Sequence, residues 1–97
     1  MKVALSSAAR RDRREAEAWY ADRSRAARRS FIAELETALR FISEYPEGAP
    51  LVYGESRGKT LSHFSYSVVY DIHRDRILVI AIADERREPG TYDSRFQ

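Results

Sequence analysis

The chain has 97 residues, a third of them charged, a formal net charge of only +2 and no cysteine. That length supports one domain with one modest core, and the near-balance of charge excludes a polyionic tail or a domain that holds nucleic acid by bulk charge. Without cysteine there is neither a disulfide framework nor a Cys-based zinc site, and the longest apolar run, residues 77–83, falls far short of the roughly 20 residues that a membrane span needs.

Residues 2–5 read as a short strand with Val3 and Leu5 on one face. Ser6 or Ser7 follows as a helix N-cap. Residues 8–20 hold no Gly or Pro and are rich in Ala, Arg and Glu, all good helix formers. Arg11 with Glu15, and Arg13 with Glu17, are spaced i,i+4 as on an exposed helix face. The break at residues 21–24 is short and predicts an antiparallel neighbour. A second helix then opens at Ser24. Ala27, Phe31, Leu35, Ala38, Ile42 and Tyr45 make its apolar stripe, widened by Ile32 and Leu39. It ends at Tyr45, because Pro46 disfavours helical geometry in the residue before it.

Beyond the loop at residues 46–50 the period changes to two. Residues 51–53 and 59–62 are weak strand candidates, with Gly54 and Gly58 between them. Phe64, Tyr66, Val68, Tyr70 and Ile72 then alternate with Ser65, Ser67, Val69, Asp71 and His73, which predicts a strand with one wetter face. After a tight connection at residues 73–75, residues 77–83 are apolar on both faces and predict a strand in the middle of a sheet. The expected architecture is α+β: one domain over residues 1–97, in two layers. A mostly antiparallel sheet of three to four strands packs on an antiparallel helical hairpin, in the order β-α-α-β-β-β.

Few enzyme constellations are present. The four Gly are scattered, so there is no phosphate loop. His63 and His73 lie ten residues apart and read either as an acid–base pair or, more simply, as exposed turn residues. Asp84, Glu85 and Glu88 are carboxylates without a His partner, so no metal is expected; no cofactor is expected either. Basic and aromatic residues cluster late in the chain: Arg57 and Lys59, then Arg86, Arg87, Tyr92 and Arg95. Guanidinium groups at a sheet rim suit phosphate, and a Tyr there can stack or transfer a proton. Arg86 or Arg87 paired with Asp84, Glu85 or Glu88 in a structural network is the equal alternative. Charge is also unevenly placed. The first 29 residues carry Lys2 and eight Arg against four carboxylates, a net of +5, and the remainder nets −3. The basic part is either a surface for an acidic partner or nucleic acid, or an ordinary solvated helix face.

These elements together resemble the RelE/ParE superfamily of toxins from bacterial type II toxin–antitoxin modules, and the ParE branch most. The matching features are the opening strand ending Leu5-Ser6, the pair Trp19-Tyr20, the stripe of the second helix with Glu34, and Tyr45-Pro46. They continue with Arg57 before Leu61, the strand Phe64-Ser65-Tyr66-Ser67-Val68-Val69-Tyr70, and the ending Arg86-Arg87-Glu88-Pro89 with Tyr92 and Arg95. The resemblance implies a cytoplasmic toxin of the plasmid-stabilisation type, neutralised by a cognate antitoxin and arresting growth by inhibiting DNA gyrase without itself catalysing a reaction. Arg86, Arg87, Tyr92 and Arg95 would meet the target; Trp19, Tyr20, Arg28 and Arg29 would meet the antitoxin, although Trp19 equally suits the core. The alternative it implies is a RelE-like ribosome-dependent mRNA endonuclease using Arg86, Tyr92, Arg57 and Lys59. A third is a toxin fold that has lost toxicity and only binds antitoxin. Two positions depart from the pattern. Ser67 stands where the RelE nucleases carry Arg, and Asp84 stands where the ParE ending usually has His. A hydroxyl cannot replace a fixed cation, and a carboxylate repels phosphate.

Overall fold

The structure is a computed structural model and describes residues 1–96. Two serines start its two helices. Ser6 Oγ accepts the Ala9 N–H at 3.1 Å and opens α1 (Ser7–Ala21). Ser24 Oγ accepts the Ala27 N–H at 2.9 Å and opens α2 (Arg25–Glu44). Each bond satisfies a donor that the first helical turn leaves without an internal partner. Tyr45 caps α2 through its N–H on the Phe41 carbonyl, and Pro46 follows where the helix cannot continue. Arg13 reaches Glu36, and Glu17 receives Arg28. Contacts that advance along one helix while retreating along the other make the hairpin antiparallel, as the short connection predicts.

The sheet has five strands: β1 (Lys2–Leu5), β2 (Leu51–Tyr53), β3 (Ser56–Thr60), β4 (Tyr66–Ile72) and β5 (Arg76–Asp84). Their spatial order is β1-β5-β4-β3-β2. All pairings are antiparallel except β1 with β5. The expected class and order hold, with one more strand than the three to four expected. Both weak candidates pair, and β3 starts at Ser56 rather than at residue 59. Gly54 makes this hairpin feasible, since its φ of 53° lies in the left-handed region that a tight reversal needs.

The main core lies between the helices and one sheet face. Phe31, Leu35, Ala38 and Ile42 of α2 meet Tyr66, Val68, Tyr70, Ile77, Val79 and Ile82, with Ala9 and Ala16 of α1 completing it. Tyr20 stacks on Phe31 at 5.0 Å between ring centres, and Phe64 meets both edge-on. The Tyr70 hydroxyl donates to the Pro46 carbonyl at 2.6 Å, so this buried phenol keeps a partner.

The other sheet face differs from the wet face expected of it. Val69 and Ser67 are buried, because the residues after β5 fold back across the sheet. Val69 groups with Ile80 and Ala81, covered by Leu78, Ala83, Tyr92 and Phe96. The grouping depends on a register slip: Val69 pairs with Ala81, but Tyr70 pairs with Val79, leaving Ile80 as an extra residue in β5. Such a bulge interrupts strict alternation, and so Ile80 and Ala81, adjacent in sequence, serve the same face. Ser67 finds polar partners there, donating to Glu85 and lying 3.1 Å from the Thr60 hydroxyl.

Candidate functional site at the end of the central strand

β1 stops at Leu5, opposite Val79, and the chain turns away into α1. The last residues of β5 therefore lack a strand neighbour on that edge, and their backbone groups need other partners. Three side chains supply them. Arg95 Nη1 donates to the Ile80 carbonyl at 2.8 Å, Asp12 Oδ2 accepts the Ile82 N–H at 3.0 Å, and the Tyr92 hydroxyl accepts the Asp84 N–H at 3.0 Å. Arg95 also grips Asp12 with two parallel bonds of 2.9 and 3.0 Å, the fork geometry that guanidinium and carboxylate share. Hydrogen bonding to Asp12 raises the Arg95 pKa, outweighing the opposing effect of burial. Arg95 belongs to a short 3-10 turn, Asp93–Arg95. The pair thus ties the end of the described chain to α1.

This arrangement walls a cavity of about 390 Å³ between α1, the ends of β4 and β5, and the following loop. Asp12, Glu15 and Trp19 line it from α1, Tyr66 and Asp84 from the strands, and Arg86, Arg87 and Tyr92 from the loop. Asp84 organises the cations. Arg86 donates to its two oxygens at 2.9 and 3.2 Å, and Arg87 lies 4.0 Å away. Burial opposes the charge on Asp84, but hydrogen bonds from Arg86 and the nearby positive charges win and hold its carboxyl below the usual range. The Arg86 pKa is raised chiefly by the same hydrogen bond. Burial pushes the Tyr66 and Tyr20 phenols up, so neither is a ready base. Arg23 lies 3.2 Å over the Trp19 ring, and Arg86 lies 5.3 Å from it and 5.6 Å from the Tyr66 ring.

The residues singled out in the sequence thus divide. Arg86, Arg87 and Tyr92 share the cavity with Trp19, a residue 42% exposed. Arg95 stands behind the wall. Tyr20 packs into the aromatic core. Arg28 pairs with Glu17, and Arg29 is exposed on α2 without an ion pair among the described residues. Arg57 and Lys59 lie elsewhere. Arg57 donates to the carbonyls of Glu47 and Ala49, and Lys59 sits 4.6 Å over the Phe41 ring. His63 is a pin, its N–H and Nδ1 both engaging the Glu34 carboxylate. These bonds outweigh burial and lower the Glu34 pKa. No group of three or more His, Asp or Glu among the described residues is placed to hold a metal ion, and no helix there is long and apolar enough to cross a membrane.

Sequence reasoning passed over Asp12. Its signal was available: Asp12 follows Ala9 by three residues and precedes Ala16 by four, so a carboxylate stands on the buried stripe of α1. A charge on such a stripe requires a partner, but nothing in its neighbourhood names Arg95.

Comparison with known proteins agrees with this architecture. No curated protein matches the sequence. A solved structure described as the chromosomal ParDE TA system from P. aeruginosa superposes with a TM-score of 0.76 over 87% of this chain and 95% of that one, at 14% identity. At that identity the likeness is one of fold. The family described as the ParE toxin of type II toxin-antitoxin systems, parDE, matches residues 3–89. The match spans both helices, all five strands and the Arg86-Arg87-Glu88-Pro89 segment, and the chain belongs to the ParE toxin family.

Proposed function

We propose that this toxin is neutralised by a cognate antitoxin and acts by binding a protein target, DNA gyrase, rather than by cleaving RNA. The observation that carries this reading is the clamp of Arg86 by Asp84. A ribonuclease needs its arginine free to meet charge developing at phosphorus. Here that guanidinium already has a carboxylate, and Asp12 and Glu15 line the same cavity. Ser67, where the nucleases carry Arg, is buried beside Glu85. Arg57 and Lys59 are not in the cavity. A polyanion approaching this surface meets three carboxylates, whereas a protein partner meets paired charges and the exposed Trp19, the mixture that interface centres favour.

Purified toxin is incubated with gyrase and supercoiled plasmid. Loss of supercoiling or a trapped cleavage complex is expected; normal supercoiling with no trapped complex would overturn the gyrase reading. One observation favours the nuclease alternative: Arg86, Arg87 and Tyr92 do converge on one cavity. Codon-phased cleavage of ribosome-bound mRNA, abolished by Arg86→Ala, would establish it.

The antitoxin reading draws on the solved relative, described as part of a ParDE system, and on the basic helical hairpin. Arg11, Arg14, Arg25 and Arg29 are exposed and make no ion pair among the described residues. With Arg28 they form a surface for antitoxin carboxylates. Reversing the charge of both Arg28 and Arg29 is expected to weaken antitoxin binding and its salt dependence; unchanged affinity would remove these residues from the interface.

A further inference from the structure

The carboxylate of Asp84 sits where an anionic ligand would. Asp84 is the last residue of β5, its side chain is only 15% exposed, and three donors converge on it. The Arg86 backbone N–H reaches Oδ1 at 3.0 Å, Arg86 Nε reaches the same oxygen at 2.9 Å, and Arg86 Nη2 reaches Oδ2 at 3.2 Å. Arg87 Nε stands beyond them, 4.0 Å from Oδ2. A backbone amide, a guanidinium fork and a second guanidinium are the donors that proteins offer to phosphate oxygens. We propose that Asp84 is a specificity-determining residue: its carboxylate fills a latent oxyanion site formed by Arg86 and Arg87, and thereby closes the cavity to phosphate groups. The inference goes beyond the identity of the target, since anion binding by the toxin alone decides it.

Charge around the cavity shows why one residue can decide. The lining holds two cations, Arg86 and Arg87, against three carboxylates, Asp12, Glu15 and Asp84. Asp12 is neutralised by Arg95 behind the wall. The two arginines then face Glu15 and Asp84, an even balance. Glu15 makes no ion pair among the described residues, so Asp84 alone of the two carboxylates holds the arginines. Removing Asp84 tips the lining positive and leaves the Arg86 donors without their acceptor. An anion that supplies new acceptors is then bound by charge-assisted hydrogen bonds.

The side chain of Asp84 is not needed to hold the strand. Its backbone N–H is bonded by the Tyr92 hydroxyl, and its neighbours Ile82 and Ile80 are bonded by Asp12 and Arg95. Its carboxylate reaches only residues two and three positions further along the chain. Substitution therefore takes away charge without breaking a tertiary contact.

The test uses the full-length toxin, with inorganic pyrophosphate and a short single-stranded oligoribonucleotide as separate probes, titrated by calorimetry at low salt. Asp84→Ala removes the carboxylate and leaves space, whereas Asp84→Asn removes the charge at constant size. Asp75→Ala takes a carboxylate from the exposed β4–β5 turn and controls for net charge. Circular dichroism checks folding, and Asp84→Asn carries the test if Asp84→Ala does not fold. Asp84→Ala is expected to bind pyrophosphate about tenfold more tightly than wild type. Asp84→Asn should show a smaller gain and Asp75→Ala none. Adding Arg86→Ala to Asp84→Ala should abolish the gain, and raising the salt concentration should weaken it. A gain with pyrophosphate alone supports a site for the free anion; a gain with both probes extends it to the phosphates of a nucleic-acid strand. The proposal is overturned if neither Asp84 variant gains affinity, if Asp75→Ala gains as much, or if the gain survives Arg86→Ala. None of these outcomes bears on supercoiling, so the proposal and the gyrase reading fail separately.

Discussion

The two faces of the sheet are held by different physics. Toward the helices, Phe31, Leu35, Ile42, Val68, Tyr70 and Val79 are fully buried, and apolar area removed from water supplies the stability. Toward the loop and turn after β5, the apolar cluster is small, and the covering segment is secured by polar bonds from Asp12, Tyr92 and Arg95 to the edge of β5. The first face tolerates little change in shape. The second depends on a few directional contacts and carries the candidate site.

The largest test of this contrast is Phe31→Ala, which removes the ring at the centre of the aromatic cluster. It is expected to cost about 3–5 kcal/mol, read as a lower urea midpoint by both far- and near-ultraviolet circular dichroism. Asp12→Ala comes next, at about 3 kcal/mol, because it leaves the Arg95 guanidinium and the Ile82 N–H without their carboxylate. Its signature differs: amide exchange should accelerate first at Ile82 and in residues 90–96, while the helices stay protected. Equal acceleration in both layers would erase the distinction between the faces. Ser24→Ala removes the N-cap of α2 and is expected to cost about 1 kcal/mol, measured as a shift in thermal midpoint.

The smallest effect is acid dependence at Asp84. Its pKa is lowered in the folded protein from the ordinary 3.8, so its contribution is complete above that value and is lost as pH falls through the folded pKa. Arg86 is about half exposed, which keeps the contribution below about 1 kcal/mol. Asp84→Asn should lower stability at neutral pH by no more than that amount, leave it unchanged below the folded pKa, and so flatten the acid limb of a stability–pH curve slightly. A basic-side dependence instead would contradict the assignment.

Much of the fold was legible because its rules are local. The stripe from Ala27 to Ile42, the serines at both helix starts and Pro46 after α2 depend on neighbours within a few residues. The apolar run in β5 marks the centre of a sheet by composition alone. The short, exposed β2 was harder, since three residues carry little periodicity and its pairing depends on the turn at Gly54. The candidate site was only half legible. Arg86, Arg87 and Tyr92 stood out by residue type and family pattern, but their company did not.

The helical hairpin, the class and order of the fold, and the ParE-like ending follow from residue order alone, because helical period, capping and strand composition are read from neighbours along the chain. Folding was needed to show that Asp84 holds Arg86, that the loop after β5 buries Ser67 and Val69, and that Trp19 joins the arginines in one cavity. The folded chain alone pairs Asp12 with Arg95 across 83 positions. The reason is physical. A charge buried at one end of the chain needs an opposite charge, yet no spacing rule says where along the chain that charge lies; the answer waits for the sheet edge that β1 leaves open.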